Sequence, residues 1–296
     1  MSKNCLIVLN YNDYETTKTF IDNIQNYKSI NNIIIVDNCS NDGSYEKLLK
    51  YSSNKIHIIK SDINKGYSCG NNIGIKYAIK NLNCEFIIIS NPDVYFSEDV
   101  IYKMMNVYEE YDNIGIVAPK MIQSQGNPLC AWRIPTWGKD LFCSSDIIVR
   151  LIGNLFSYKE NELNNDINFV DVLPGSFFMI KADIMQKIDF LDESVFLYCE
   201  EDMLAYKLKD IYHRNVLLGN ETFIHEHSVS INKNISSKID KYKILYRSKI
   251  IYHKKYNKIN NIQLFISGVI FKVAIVEKIM ISYFIKIMNK IKNKDK

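Results

Sequence analysis

Cys5-Leu6-Ile7-Val8-Leu9, Asn32-Ile33-Ile34-Ile35-Val36, Ile56-His57-Ile58-Ile59 and Phe86-Ile87-Ile88-Ile89-Ser90 are four short apolar runs near the start of the chain. Each is rich in Val, Ile and Leu and shows little polar alternation, as a strand covered on both faces requires. Between them lie segments of helical length, at residues 15–27, 44–52 and 70–82, the last with Ile73, Tyr77 and Ala78 at helical spacing. Strands that alternate with helices predict βαβ units, hence an α/β fold around a mostly parallel sheet with flanking helices.

Ligands of such sheets bind beyond the carboxyl ends of the strands. Each run here ends in a polar segment: Asn10-Tyr11-Asn12-Asp13, then Asp37-Asn38-Cys39-Ser40, then Asn64-Lys65-Gly66-Tyr67 leading to Gly70-Asn71-Asn72, then Asn91-Pro92-Asp93. Any one of these reads equally well as turn chemistry. Four on one sheet edge predict a binding site. Beyond residue 100 the pattern is less regular. Residues 115–119 read as a strand, residues 169–180 as a strand or a hairpin around Pro174-Gly175, residues 196–209 as an apolar run continuing through three carboxylates into a helix, and residues 223–230 as a segment with two histidines.

The chain of 296 residues is 47% hydrophobic, enough to bury a sizeable core. Seven cysteines with no CxxC pair fit a reducing, cytoplasmic setting, and no secretory leader is read at Met1-Ser2-Lys3-Asn4. The net charge of +4 hides an asymmetry: from Lys241 onward there are fourteen Lys and Arg against Glu277 and Asp295, and the first 240 residues carry 23 basic and 31 acidic side chains. The acidic body argues against nucleic acid as a substrate. The division expected is a main body at 1–240, read as two halves at about 1–120 and about 121–240, followed by a basic, apolar helical tail at 241–296.

Leu9-Asn10-Tyr11-Asn12, Val36-Asp37-Asn38-Cys39-Ser40, Asn64-Lys65-Gly66-Tyr67 with Gly70-Asn71-Asn72-Ile73-Gly74, Asn91-Pro92-Asp93, Pro174-Gly175-Ser176, Glu200-Glu201-Asp202 and His225 to Ser230 come in the order found in family 2 glycosyltransferases. Over roughly residues 4–232 the chain resembles that family, in the branch of rhamnosyltransferase-like and galactofuranosyltransferase-like enzymes. The resemblance implies a GT-A type, Rossmann-like fold and inverting transfer of a sugar from a nucleoside diphosphate to an acceptor hydroxyl in bacterial surface polysaccharide synthesis.

By that resemblance Asn10, Tyr11, Asp37, Asn64, Gly66, Gly70, Asn72 and Asn91 line the donor site, with Tyr11 and Asp37 beside the base of a UDP- or dTDP-linked sugar. Gly70 and Gly74 are expected to flank a helix start that favours a phosphate. Asn91-Pro92-Asp93 stands where the family has Asp-x-Asp, so Asp93 is expected to hold Mg2+ or Mn2+ on the diphosphate, with His225, or less favoured His227, completing the metal site. Glu201 matches the family's general base; Glu200 flanks it, Met203 replaces a fourth acid, and a one-residue slip would make Asp202 the base. Crowded carboxylates raise one another's pKa, which suits that task. Trp132, Arg133 and Trp137 read either as an acceptor surface or as core packing, and Gly175 as a turn under the acceptor.

Residues 262–288 are apolar but interrupted by Lys272, Glu277, Lys278 and Lys286, so no transmembrane helix is expected. They read as an interfacial segment at the inner face of the cell membrane, where a lipid-linked or oligosaccharide acceptor would be met, or as a hairpin packed on protein. Two other functions are compatible with the pattern: a non-catalytic sugar-nucleotide-binding scaffold, and a nucleotidyltransferase, which would need a basic glycine-rich loop that residues 10–13 do not offer.

Overall fold

The structure, a computed structural model, describes residues 3–122, 130–226 and 237–292. In chain order the elements are β1 (Asn4–Asn10), α1 (Tyr14–Ile24), β2 (Asn32–Asp37), α2 (Ser44–Leu48), β3 (Ile56–Lys60), α3 (Tyr67–Leu82), β4 (Phe86–Ser90), β5 (Val94–Tyr95), α4 (Glu98–Glu110), β6 (Ile114–Ile122), α5 (Trp137–Phe142) and α6 (Asp146–Ile152). They continue with β7 (Ile167–Val170), β8 (Phe177–Lys181), α7 (Ala182–Lys187), α8 (Glu200–Asp210), β9 (Arg214–His225), α9 (Lys238–Lys255) and α10 (Asn261–Lys292).

The nine strands of the described residues join one sheet, in the order β3-β2-β1-β4-β8-β6-β9-β5 with β7 on β9. The four runs that open the sequence form its parallel half, and their register sets Asn10 opposite Asp37. Leu6, Ile7, Val8, Ile33, Ile34, Ile35, Ile87, Ile88 and Ile89 are fully buried, each contributing about 1.5–3 kcal/mol by leaving water. The second half of the sheet is mixed: β8 runs antiparallel to β4 and β6, β9 runs parallel to β6, and β5 and β7 pair antiparallel with β9. The hairpin around Pro174-Gly175 is therefore not formed. β7 and β8 go to different partners, so residues 171–176 cross from one strand neighbourhood to another.

Helix α3 begins at Tyr67, three residues before the expected start, with Gly66 as its cap. Gly70 and Gly74 lie inside the helix, on its sheet side, and do not flank its start. A Cβ on Gly70 would come 2.4 Å from Leu9 Cδ1, and one on Gly74 would come 2.7 Å from Ile7 Cγ2. Their lack of a side chain lets the helix sit close on β1 and β2. Gly66 has the stricter demand. Its φ is +103°, and a Cβ there would fall 2.1 Å from the Phe196 carbonyl oxygen.

The chain divides into two compact units, Met1–Ile134 with Tyr158–Ser236, and Pro135–Ser157 with Ser237–Lys296. The boundary differs from a single cut at residue 240, because α5 and α6 belong with the C-terminal helices. In that second unit Leu141, Tyr246, Phe271 and Ala274 form a core, and the Tyr246 and Phe271 rings stack with centroids 4.4 Å apart. Asp140 is buried there. It accepts from Lys249 Nζ at 2.6 Å and pairs with the fully buried His253 at 2.8 Å. Burial alone would push the Asp140 carboxyl up, but hydrogen bonding to His253 and the charge of Lys249 outweigh it and hold it below its ordinary value. Trp137 also belongs to this unit and donates its indole N–H to Ser267 Oγ at 2.9 Å.

Candidate active site

The carboxyl ends of β1 and β2 are tied together by polar side chains. Asn10 Nδ2 donates to Asp37 Oδ2 at 2.8 Å, and the Ser40 N–H donates to Asp37 Oδ1 at 2.9 Å. Thr17 Oγ1 donates to Asn10 Oδ1 at 2.8 Å, which fixes the orientation of that amide. Asn10 and Asp37 are fully buried, and each Asp37 oxygen keeps the capacity for a further donor. Tyr11, half-buried, comes directly after Asn10. One loop further on, Asn64 Oδ1 accepts from Asn38 Nδ2 and from the Gly66 N–H, both at 3.0 Å, so it shapes the entry to α3. Asn72 is used elsewhere. Its side chain donates to Leu191 O and Glu193 Oε1 and accepts from the Leu191 N–H, pinning residues 191–193 to the back of α3.

Asp93 and His225 are brought together by the sheet. β5 and β9 pair Val94 with His225, and the Glu226 N–H donates to the Asp93 carbonyl at 3.0 Å. Both side chains are buried, with His225 Nε2 and Asp93 Oδ1 3.1 Å apart. Two donors bound side by side on an octahedral Mg2+ or Mn2+ at about 2.1 Å stand about 3 Å from each other, so this spacing fits a shared ion. Among the described residues no third His, Cys, Asp or Glu converges on the pair. An ion held here would draw its remaining ligands from water or from oxygens of a bound ligand, the usual situation for Mg2+. His227 and Ser230 lie outside the described residues.

The carboxylates at the start of α8 come after a strained lead-in. Residues 196–199 are not helical, and Tyr198 and Cys199 both occupy the left-handed region, at φ +72° and +69°. Consecutive non-glycine residues in that region persist only where the surroundings hold them. Here the Tyr67 N–H donates to the Phe196 carbonyl at 3.0 Å. The result sets Glu200, Glu201 and Asp202 in the first helical turn, where the helix dipole favours negative charge.

The three acids differ. Asp202 Oδ1 accepts the indole N–H of Trp132 at 2.7 Å. Glu201, half-buried, accepts the Gly175 N–H through a long 3.3 Å contact, and a Cβ on Gly175 would come 3.0 Å from Glu201 Oε1. Burial pushes the Glu201 carboxyl above its ordinary value, opposed by its own N–H and that of Gly175. Glu200 is buried, its Oε1 has no hydrogen-bond partner among the described residues, and burial together with the charge of Glu201 pushes its carboxyl well up.

A carboxyl whose pKa rises on folding binds more protons in the folded state, so it subtracts from stability as pH climbs above its unfolded value. Glu200→Gln therefore raises the melting temperature at pH 8 by the equivalent of about 1–3 kcal/mol. The difference shrinks as pH falls through the elevated range. A thermal melt series from pH 5 to 8 checks it, and a loss of stability at pH 8 refutes it.

Tyr67 joins these parts, although the family resemblance gave it no role. Its hydroxyl donates to the Gly175 carbonyl at 2.6 Å, and its own pKa is pushed well up by burial and by the charges of Glu201 and Glu200, with Asp93 adding to them. It thus lies within electrostatic reach of both the base candidates and the metal candidate. The one signal for it in the sequence is an aromatic directly after Gly66 in a polar loop. Arg133, expected near the acceptor, pairs with Glu162 at 2.6 Å and lies over the Tyr158 ring. Trp132 faces Asp202, whereas Trp137 belongs to the other compact unit.

Comparison with known proteins adds to this geometry. The profile of glycosyl transferase family 2 matches residues 5–189. The low-salt glycan biosynthesis hexosyltransferase Agl10 of Haloferax volcanii is 31% identical over 204 residues, a match that covers 69% of this chain and 61% of that protein. The chain thus spans less than two thirds of that relative's length. Among solved structures, S. aureus TarS 1–349 in complex with UDP-GlcNAc is similar with a TM-score of 0.57 at 13% identity, covering 88% of this chain and 69% of that one. The Pyrobaculum calidifontis mannosyltransferase PcManGT, in complex with GDP-Man and Mn2+, has a TM-score of 0.57 at 12% identity, covering 93% and 68%. GalNAc-T7 with UDP, GalNAc and Mn2+ has a TM-score of 0.60 at 12% identity, covering 78% and 45%. At such identities these likenesses speak for the GT-A fold alone. With the family profile spanning more than half of it, and the motifs on the sheet edge where that fold binds ligands, this chain belongs to glycosyl transferase family 2.

Proposed function

We propose that the protein is an inverting hexosyltransferase that moves a sugar from a nucleoside diphosphate to an acceptor hydroxyl in the assembly of a cell-surface glycan. The observation that carries this reading is that Glu201 and Tyr67 both bond to the backbone of Gly175, while Asp93 and His225 stand paired 3.1 Å apart where β5 meets β9.

In this reading Glu201 takes the proton of the acceptor hydroxyl. The acceptor oxygen forms its bond to the anomeric carbon while the bond to the diphosphate breaks on the opposite face. Desolvation keeps the Glu201 carboxylate basic enough to accept the proton. Asp202, held by Trp132, supports the turn. Tyr11, with Asn10 and Asp37 behind it, offers an aromatic face and polar groups to the base of a UDP- or dTDP-linked donor, and Asn64, Gly66 and Asn91 border the same edge. Asp93 and His225 would hold Mg2+ or Mn2+, which neutralises charge on the leaving diphosphate. The acceptor is an oligosaccharide or a lipid-linked saccharide, met at the inner face of the cell membrane.

A thermal-shift screen of the full chain against UDP-, dTDP-, GDP- and CMP-sugars, with and without Mn2+, tests the proposal. Ligands that bind only the folded state raise its apparent stability, by about 2.7 kcal/mol at a hundred times Kd. One nucleotide class shifting the transition in a metal-dependent way is the expected outcome. No shift with any of them, from folded protein, overturns it in favour of a subunit that does not bind sugar nucleotides.

A further inference from the structure

One side of α10 is spent on packing within its unit: Ser267 accepts from Trp137, Phe271 stacks on Tyr246, Ala274 is buried, Glu277 accepts the Ile147 N–H, and Lys278 pairs with Asp146. The side that remains runs through Ile262, Ile266, Val269, Val273, Val276 and Met280, spaced alternately by four and three residues so that they share a face. With Tyr283 it extends about 30 Å at 1.5 Å per residue. These side chains are exposed, Val273 by 62%, and Phe265 beside them by 73%. Between Ile262 and Tyr283 the helix has three charged residues. Lys278 is on the packed side, Glu277 borders the open face but is engaged by the Ile147 N–H, and Lys272 borders the open face at its other edge. A continuous apolar face of this size marks an interaction surface.

Charge selects the occupant. The exposed side of α9 carries Lys243, Arg247, Lys254 and Lys255, and Lys258 adds to them at the turn into α10. From Lys241 to the end there are fourteen Lys and Arg against two acids. A second copy of the helix would bring like charge against like charge. An anionic phospholipid surface would complement both the apolar face and the excess of cations in this segment. Among the described residues no helix is long and apolar enough to cross a membrane, and the packed side of α10 is tied to protein by polar contacts.

We infer that α10 lies flat in the headgroup region of an anionic bilayer, with the face from Ile262 to Tyr283 turned into the lipid. The inference deepens the proposed function by naming the surface and the lipid class at which transfer occurs, and it rests on that reading only for its purpose. Sedimentation of the full chain with vesicles of phosphatidylglycerol and phosphatidylcholine in equal parts, beside vesicles of phosphatidylcholine alone, tests it. Binding is expected to the anionic vesicles, to weaken with salt, and to fall roughly tenfold or more in V269E/V276E, whose positions are exposed. A circular-dichroism melt verifies that this variant folds. Transfer to a water-soluble acceptor stays at the wild-type rate in it, so failure of membrane binding and failure of the transferase reading are separable. Folded wild-type protein that ignores anionic vesicles, or a dimer in solution that V269E/V276E converts to monomer while vesicle binding is unchanged, overturns the inference.

Discussion

Glu201→Gln lowers kcat by roughly a hundred- to ten-thousand-fold, the range over which a positioned general base acts. The amide keeps the shape of the side chain and can still accept the Gly175 N–H, so the fold around Gly175 and Tyr67 is retained. Affinity for the donor changes little, because in the proposed mechanism the carboxylate faces the acceptor proton. Isothermal titration with donor beside steady-state rates checks both halves. In the wild type the rate falls as pH falls through the Glu201 pKa, which burial places above the ordinary carboxylate value, and this limb disappears in the variant. If Glu201→Gln stays active and Asp202→Asn does not, the base is Asp202 and Trp132 is the group that orients it.

Asp93→Ala removes one of the two donors that converge at 3.1 Å. If these hold the ion on the diphosphate, metal-dependent donor binding is lost. Several kcal/mol of charge stabilisation disappear with it, which corresponds to roughly a hundredfold or more in kcat/KM. The measurement is donor affinity titrated with and without Mn2+. In the wild type the metal tightens binding, and in the variant the two curves coincide. An unchanged metal response in Asp93→Ala refutes the metal role of this pair. His225→Ala, which leaves the carboxylate in place, weakens the same response to a lesser degree.

Much of the fold is legible in residue order because its cause is local. Four apolar runs too hydrophobic for an exposed face must be covered on both sides, and helical segments between them supply the cover. They form β1 to β4 within about one residue of the expected bounds. Residues 169–180 read as a strand or a hairpin for the same local reason. A turn residue pair between two apolar runs looks like a hairpin, but each run finds a better partner far away in sequence, β7 on β9 and β8 between β4 and β6. Glycine near a polar loop suggests a phosphate-binding helix start at Gly70. The helix instead begins at Tyr67, and Gly70 meets Leu9 of β1, a contact that exists only once helix and sheet have packed.

The candidate site divides the same way. Polar chemistry beyond the strand ends at Asn10, Asp37 and Asp93, and at the helix start at Glu200 to Asp202, depends on residue type and order, which sequence carries in full. The partners of those groups depend on closure over long separations. Asp93 reaches His225 132 positions away, Tyr67 reaches Gly175 across 108, and Trp132 reaches Asp202 across 70. The sequence by itself determined that the chain folds as an alternating α/β sheet with a polar binding edge and a basic, apolar C-terminal end. Only the tertiary structure decided which acid is buried with one carboxyl oxygen unpaired, which is held by an indole, and which side of α10 is left bare, since burial and pairing arise from surfaces that meet only when distant strands and helices come together.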